Sequence, residues 1–153
     1  MTHVISPALD RGPVPFYAAA VGEPREDPGV GPIAALLGIR RASMEGGRSA
    51  FELTIRPEHM NPHGVVHGGV VYTLVDFAMG GALTSLLEPG ERCATLEVKI
   101  NYLAPAVSGD VRADACVVSR SRRVAVMEAR VHGEGQRLIA LATGSFYIQT
   151  RAG

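Results

Sequence analysis

The chain has 153 residues, 15 basic and 15 acidic side chains, a formal net charge of zero and two cysteines. That length builds one domain around a single core. Zero net charge offers no broad attraction to nucleic acid or to an anionic membrane surface, and Cys93 and Cys116 form neither a CxxC motif nor a disulfide framework.

The first stretch, MTHVISPALDRG, lacks the basic region and apolar core of a secretory signal, so a cytoplasmic, reduced protein is expected. Residues 1–31 carry prolines at 7, 13, 15, 24 and 28 and the charged cluster EPRED at 23–27. Proline fixes φ and removes a donor, so this reads as an extended N-terminal arm preceding a domain over 32–150. IAALLG at 33–38 suits a short helix opened by Pro32 and closed by Gly38. Strands over 39–44 and 50–56 flank EGGR, a hairpin turn, with Phe51, Leu53 and Ile55 on one face of the second strand.

Residues 67–87 read HGGVVYTLVDFAMGGALTSLL, with one acid, Asp76, in an otherwise uncharged apolar run. A helix apolar nearly all round is a buried helix, and an unpaired carboxylate in a buried place is expensive. A membrane span needs ~20 apolar residues, and 64–87 is long enough. Against a span stand five glycines, a strand-rich remainder and a central Asp that costs ~2.5–3.5 kcal/mol on insertion scales. A core Asp that caps or pairs locally is the structural alternative to a reactive one.

Beyond that helix the chain is nearly all strand. Residues 93–103 alternate, placing Ala94, Leu96, Val98, Ile100 and Tyr102 on one face and Thr95, Glu97, Lys99 and Asn101 on the other. Strands over 110–119, 124–132 and 138–149 follow, separated by SRSR and by the glycine-containing loop HGEGQ. Six antiparallel strands and one apolar helix are economically combined as an α+β fold in which the sheet curls around the helix. A helix over 68–87 would be ~30 Å long, and a strand of about nine residues matches it. A single sheet still leaves edges and a face to cover, which predicts pairing with a second copy.

The run NPHGVVHGGVVYTLVDFAMGGA at 61–82 resembles the PaaI-type acyl-CoA thioesterases of the hot-dog superfamily: an Asn, then HGG six residues on, then an Asp nine residues after the His. Here these are Asn61, His67-Gly68-Gly69 and Asp76, and the resemblance continues through TLEVKINYLAPA at 95–106. It implies a hot-dog fold over 32–150 and hydrolysis of acyl-CoA thioesters to free acid and coenzyme A, with no cofactor. It also implies assembly as a homodimer or homotetramer. Acyl preference (aryl, short or medium chain) is left open.

The resemblance implies roles residue by residue. The Gly68 N–H becomes the oxyanion donor, which suits a helix start, where free N–H groups and the dipole both favour negative charge. Asp76 becomes general base or nucleophile. Asn61 places the water or the carbonyl, with an Asx-turn as its plain alternative. His67 supports the helix start and Gly69 shapes the turn. Thr95 stands beside the reacting group from the neighbouring subunit. At helical spacing Gly69, Tyr72, Thr73, Asp76 and Gly80 form one stripe, so Gly69 and Tyr72 are substrate-facing candidates. Arg120, Arg122 and Arg123 cluster in a strand turn and are candidates for the coenzyme A phosphates.

Two rival chemistries are weaker. His59, His63 and His67 are four apart, a metal-ligand spacing on a helix, but Pro62 disfavours helix at Asn61 and breaks that register, so no metal is expected. A hot-dog module can also bind acyl-CoA without catalysis, which is the alternative function. Dehydratase and hydratase relatives pair a His with an acid, and no His lies near Asp76 on its helical stripe.

Overall fold

The structure is a computed structural model that describes residues 30–150. The arm expected over 1–31 lies outside the described residues except for its last two positions. Helix α1 (Gly31–Leu37) has Pro at its start and ends where Gly38 turns left-handed at φ 67°. Strands β1 (Arg40–Glu45) and β2 (Arg48–Thr54) form a hairpin whose two loop residues, Gly46 and Gly47, both have positive φ, at 56° and 78°. A two-residue loop of this kind matches strand twist and is open mainly to glycine and asparagine.

Helix α2 (Gly68–Thr84) follows a one-turn 3-10 segment at Pro57–His59. Then come β3 (Glu91–Tyr102), β4 (Asp110–Arg120), β5 (Val124–His132) and β6 (Leu138–Thr150). All pairings are antiparallel and the strand order is β1-β2-β4-β5-β6-β3. β1 and β3 are therefore the edges, and β3 is bonded only to β6. The expected elements are all present. The central helix ends three residues earlier than expected, where the Ser85 hydroxyl donates to the Ala82 carbonyl at 2.7 Å and accepts from the Gly47 N–H at 2.8 Å.

The sheet packs its inner face on α2. Leu74, Val75, Ala78, Met79, Ala82 and Leu83 are fully buried against Phe51, Leu53, Met127, Val131, Phe146 and Ile148. Ala113, Ala125, Ala129, Ala140 and Ala142 provide a low surface on the central strands that lets the helix sit close. Burial of α2 is one-sided, contrary to a helix buried all round. Gly69, Tyr72, Thr73, Asp76, Gly80 and Thr84 form a stripe of small or polar residues that the sheet leaves partly or fully uncovered. No helix among the described residues is long and apolar enough to cross a membrane.

The alternation expected along β3 breaks in the middle. Thr95 pairs with Phe146 and Glu97 with Ser145, so Leu96 is an extra residue in a β-bulge. Upstream of it Cys93 and Thr95 face inward; downstream Val98 and Ile100 do. Ala94 and Leu96 are thus not on the inner face, and Thr95 is not on the outer one. A bulge re-aims the side chains on one side of it, and here it turns Thr95 toward α2.

Candidate active site

The approach to α2 is a tightly bonded loop. The Asn61 carboxamide oxygen accepts from the N–H of His63 at 2.8 Å and of Val65 at 3.4 Å, and the Asn61 N–H donates to the Val65 carbonyl at 2.8 Å. Asn61 is therefore an Asx-turn residue whose side-chain amino group is left for other work. The His67 N–H donates to the His59 carbonyl at 2.8 Å, and His67 caps the helix: its Nδ1 accepts from the Gly69 N–H at 2.9 Å. An Nδ1 that accepts leaves the neutral ring's proton on Nε2. With Gly69 engaged by His67, the Gly68 N–H is the first helical donor and meets no acceptor among the described residues.

A side chain at Gly68 would crowd Tyr102. A Cβ there would lie 3.1 Å from both Cζ and the hydroxyl oxygen of Tyr102, whose O–H donates to the Gly68 carbonyl at 2.8 Å. A cleft of about 410 Å³ opens beside this residue, with Asn61, Val65, Val71, Tyr102 and Ile139 among its walls. Its size falls within the range of ligand pockets, ~300–1,000 Å³.

Asp76 is half-buried, two helical turns on. Its Oδ1 accepts from the Thr95 hydroxyl at 2.7 Å, and Oδ2 has no partner among the described residues. One oxygen is oriented and the other is available, which is the form a base or nucleophile requires. Asp76 and Thr95 belong to the same chain, so their contact needs no neighbouring subunit. The bulge at Leu96 makes the approach within one protomer.

Cys93, one inward position before Thr95, was not foreseen as a neighbour of the acid. Its thiol is 3.8 Å from the Thr84 hydroxyl. Burial pushes the thiol above its ordinary range and the Asp76 charge adds to this, against the lowering effect of Thr84. Only the thiolate is a good nucleophile. Cys93→Ala is accordingly expected to keep turnover within about threefold of the parent, since no ionised thiol exists near neutral pH for it to remove. Steady-state rates on matched samples check this, and a hundredfold loss would move the nucleophile to sulfur.

The remaining expected residues are spread more widely. Tyr72 is exposed on the α2 stripe; together with partial burial, its proximity holds the Tyr102 phenol above its ordinary range. Arg120 is tied to Glu91 at 2.5 Å. Arg122 and Arg123 are exposed in the β4–β5 turn and have no carboxylate partner among the described residues. The three histidines do not converge. His59 is fully buried with its ring nitrogens 3.1 Å from the Arg56 N–H and 3.3 Å from the Arg56 guanidinium, while His63 is exposed. No group of three or more His, Cys, Asp or Glu among the described residues is arranged to hold a metal.

A sheet curled onto one central helix, an unpartnered amide at that helix's start and a hydroxyl-held carboxylate on its open side define a hot-dog domain. Comparison with known proteins gives the family. Residues 63–140 match the family described as the Thioesterase superfamily. A conserved Pseudomonas aeruginosa protein of solved structure superposes with a TM-score of 0.77 at 32% identity, over 82% of this chain and 100% of that one. The acyl-coenzyme A thioesterase PaaI of Escherichia coli is 29% identical over 112 residues, 72% of this chain and 78% of the relative. The 1,4-dihydroxy-2-naphthoyl-CoA hydrolase of Listeria monocytogenes is 28% identical over 115 residues, 75% of this chain and 94% of the relative. The chain belongs to the thioesterase superfamily.

Proposed function

We propose that the protein hydrolyses acyl-CoA thioesters to a free acid and coenzyme A, at sites shared between two copies of the chain. The observation that carries this is the pairing of an unpartnered Gly68 N–H with a carboxylate whose outer oxygen is free. The Gly68 N–H holds the carbonyl oxygen as it becomes an oxyanion, and the Asn61 amino group is a second donor on the same cleft. Asp76 takes a proton from water, or attacks the carbonyl itself before water releases the acid. In either route a C–O bond forms, the C–S bond breaks and the departing sulfur takes up a proton. Thr95 orients Asp76 throughout, and His67 holds the helix start through Gly69. Arg122 and Arg123 are free to meet the nucleotide phosphates, whereas Arg120 must first leave Glu91.

Sharing between copies follows from distance. Eight residues of helix separate Gly68 from Asp76, ~12 Å along the axis, and N–H groups at a helix start point off that end, away from Asp76. One carbonyl cannot sit on both groups of the same α2. A second copy laid antiparallel along the bare stripe would bring its Gly68 to this Asp76. β3, a long edge strand bonded only to β6, offers a surface beside that stripe. A homodimer is the smallest assembly that completes the site, and a homotetramer is two of them.

The two named relatives act, by their names, on CoA thioesters, which supports that substrate class here. A panel of aryl-, short- and medium-chain acyl-CoA esters, followed by free-thiol release alongside light scattering, tests the proposal. Turnover of at least one class by a dimer or larger assembly is expected. A fully active monomer would end the shared site. Tight acyl-CoA binding without hydrolysis would instead support the non-catalytic module.

A further inference from the structure

Gly68 solves one problem and creates another. A carbonyl can reach its N–H because nothing projects from the Cα, yet glycine has more backbone freedom to lose in a fixed conformation than any other residue. Two in succession, Gly68 and Gly69, leave the first turn with little stiffness of its own. An oxyanion donor works by being aimed before the charge develops. The His67 cap fixes the Gly69 N–H, and the Gly68 peptide needs a tether of its own.

Tyr102 is placed to do so. It is the last residue of β3, and its hydroxyl reaches 34 residues back along the chain to donate to the Gly68 carbonyl at 2.8 Å. A carbonyl has two lone pairs, so this bond coexists with the helical one. The tyrosine ring occupies the space where a Gly68 side chain would go, 3.1 Å from that position, and it lines the same cleft as Gly68 and Asn61. Its phenol, raised above the ordinary range, remains a protonated donor through neutral pH.

We propose that Tyr102 is a positioning residue for the oxyanion site, holding the Gly68 backbone so that its N–H stays aimed into the cleft. This rests on the thioesterase reading and names a residue through which the Gly68 amide acts. The test uses the full-length protein and the best acyl-CoA of the panel. Tyr102→Phe removes the hydroxyl and keeps the ring. It is expected to lower kcat about tenfold, the scale of one hydrogen bond. KM should stay within about twofold, because the ring that lines the cleft is retained, and the melting temperature within a few degrees.

A second arm separates positioning from general loosening. In a Gly68→Ala background the donor is already displaced, so Tyr102→Phe should add no further loss of kcat; groups acting through one another are non-additive. The inference is overturned if Tyr102→Phe leaves kcat within about twofold of the parent, if its loss lies wholly in KM, or if the same tenfold loss recurs in the Gly68→Ala background. A parent protein that hydrolyses no acyl-CoA overturns the functional reading along with it. An active parent with an indifferent Tyr102→Phe overturns this inference alone.

Discussion

Asp76→Asn is expected to lower kcat by ~10²–10⁴, the usual contribution of a positioned general base, with little change in KM. The substitution is close to isosteric, and the Thr95 hydroxyl can still donate to the remaining carbonyl oxygen, so the contact at 2.7 Å survives. The amide accepts no proton at neutral pH and does not attack a carbonyl. Asp76 is half-buried and salt-bridged to nothing among the described residues, so neutralising it breaks no ion pair. The melting temperature should therefore hold or rise slightly. If Asp76 were instead a structural acid that ties α2 to β3, the same change would lower the melting temperature and leave turnover per folded molecule intact. Both quantities measured on one sample separate the outcomes.

The proposed sharing of sites between copies makes a prediction that no single-chain site can meet. Asp76→Asn and Gly68→Ala should each be nearly inactive, the second because the added methyl crowds Tyr102 and obstructs approach to the Gly68 N–H, an oxyanion donor of a kind worth ~10²–10³ in kcat. Mixed and allowed to exchange subunits, the two inactive proteins should recover activity. In a mixed dimer one site combines both defects, but the other combines the intact Asp76 of one copy with the intact Gly68 of its partner. Random pairing in a two-fold dimer makes half the dimers mixed with one good site each, so recovery should approach about a quarter of the parental rate. Were each site built within one chain, every site in the mixture would carry a defect. No recovery after verified subunit exchange would therefore refute the arrangement.

Much of this was legible from residue order because the signals were local. Pro32 and Gly38 bracket α1, the glycine pair makes the β1–β2 turn, and apolar alternation marks β4, β5 and β6. Spacing also placed Asp76 on a stripe with Gly69, Tyr72 and Gly80, although not that the sheet would leave this stripe bare. What escaped was set by long-range packing. Leu96 fits an apolar alternation, so nothing in composition marks it as the extra residue that turns Thr95 inward. Asn61 proved to bind its own loop, the plain Asx-turn reading. Tyr102 looked like one more core-facing residue, since its partner Gly68 is visible only once strand and helix are packed.

Both hydroxyls that steady the chemical groups sit on one strand. Thr95 near the middle of β3 holds Asp76, and Tyr102 at its last position holds Gly68, while β3 itself is bonded along a single side within the chain. Edge elements open by local fluctuation at a lower free energy than the whole domain. If β3 frayed from β6, both supports would be released while the core of α2, β2, β4 and β5 stayed intact. On the proposed function, turnover therefore depends on what holds this one strand down, β6 on one side and the partner copy on the other, rather than on the stability of the whole fold. On that reading, turnover is lost well before the fold is.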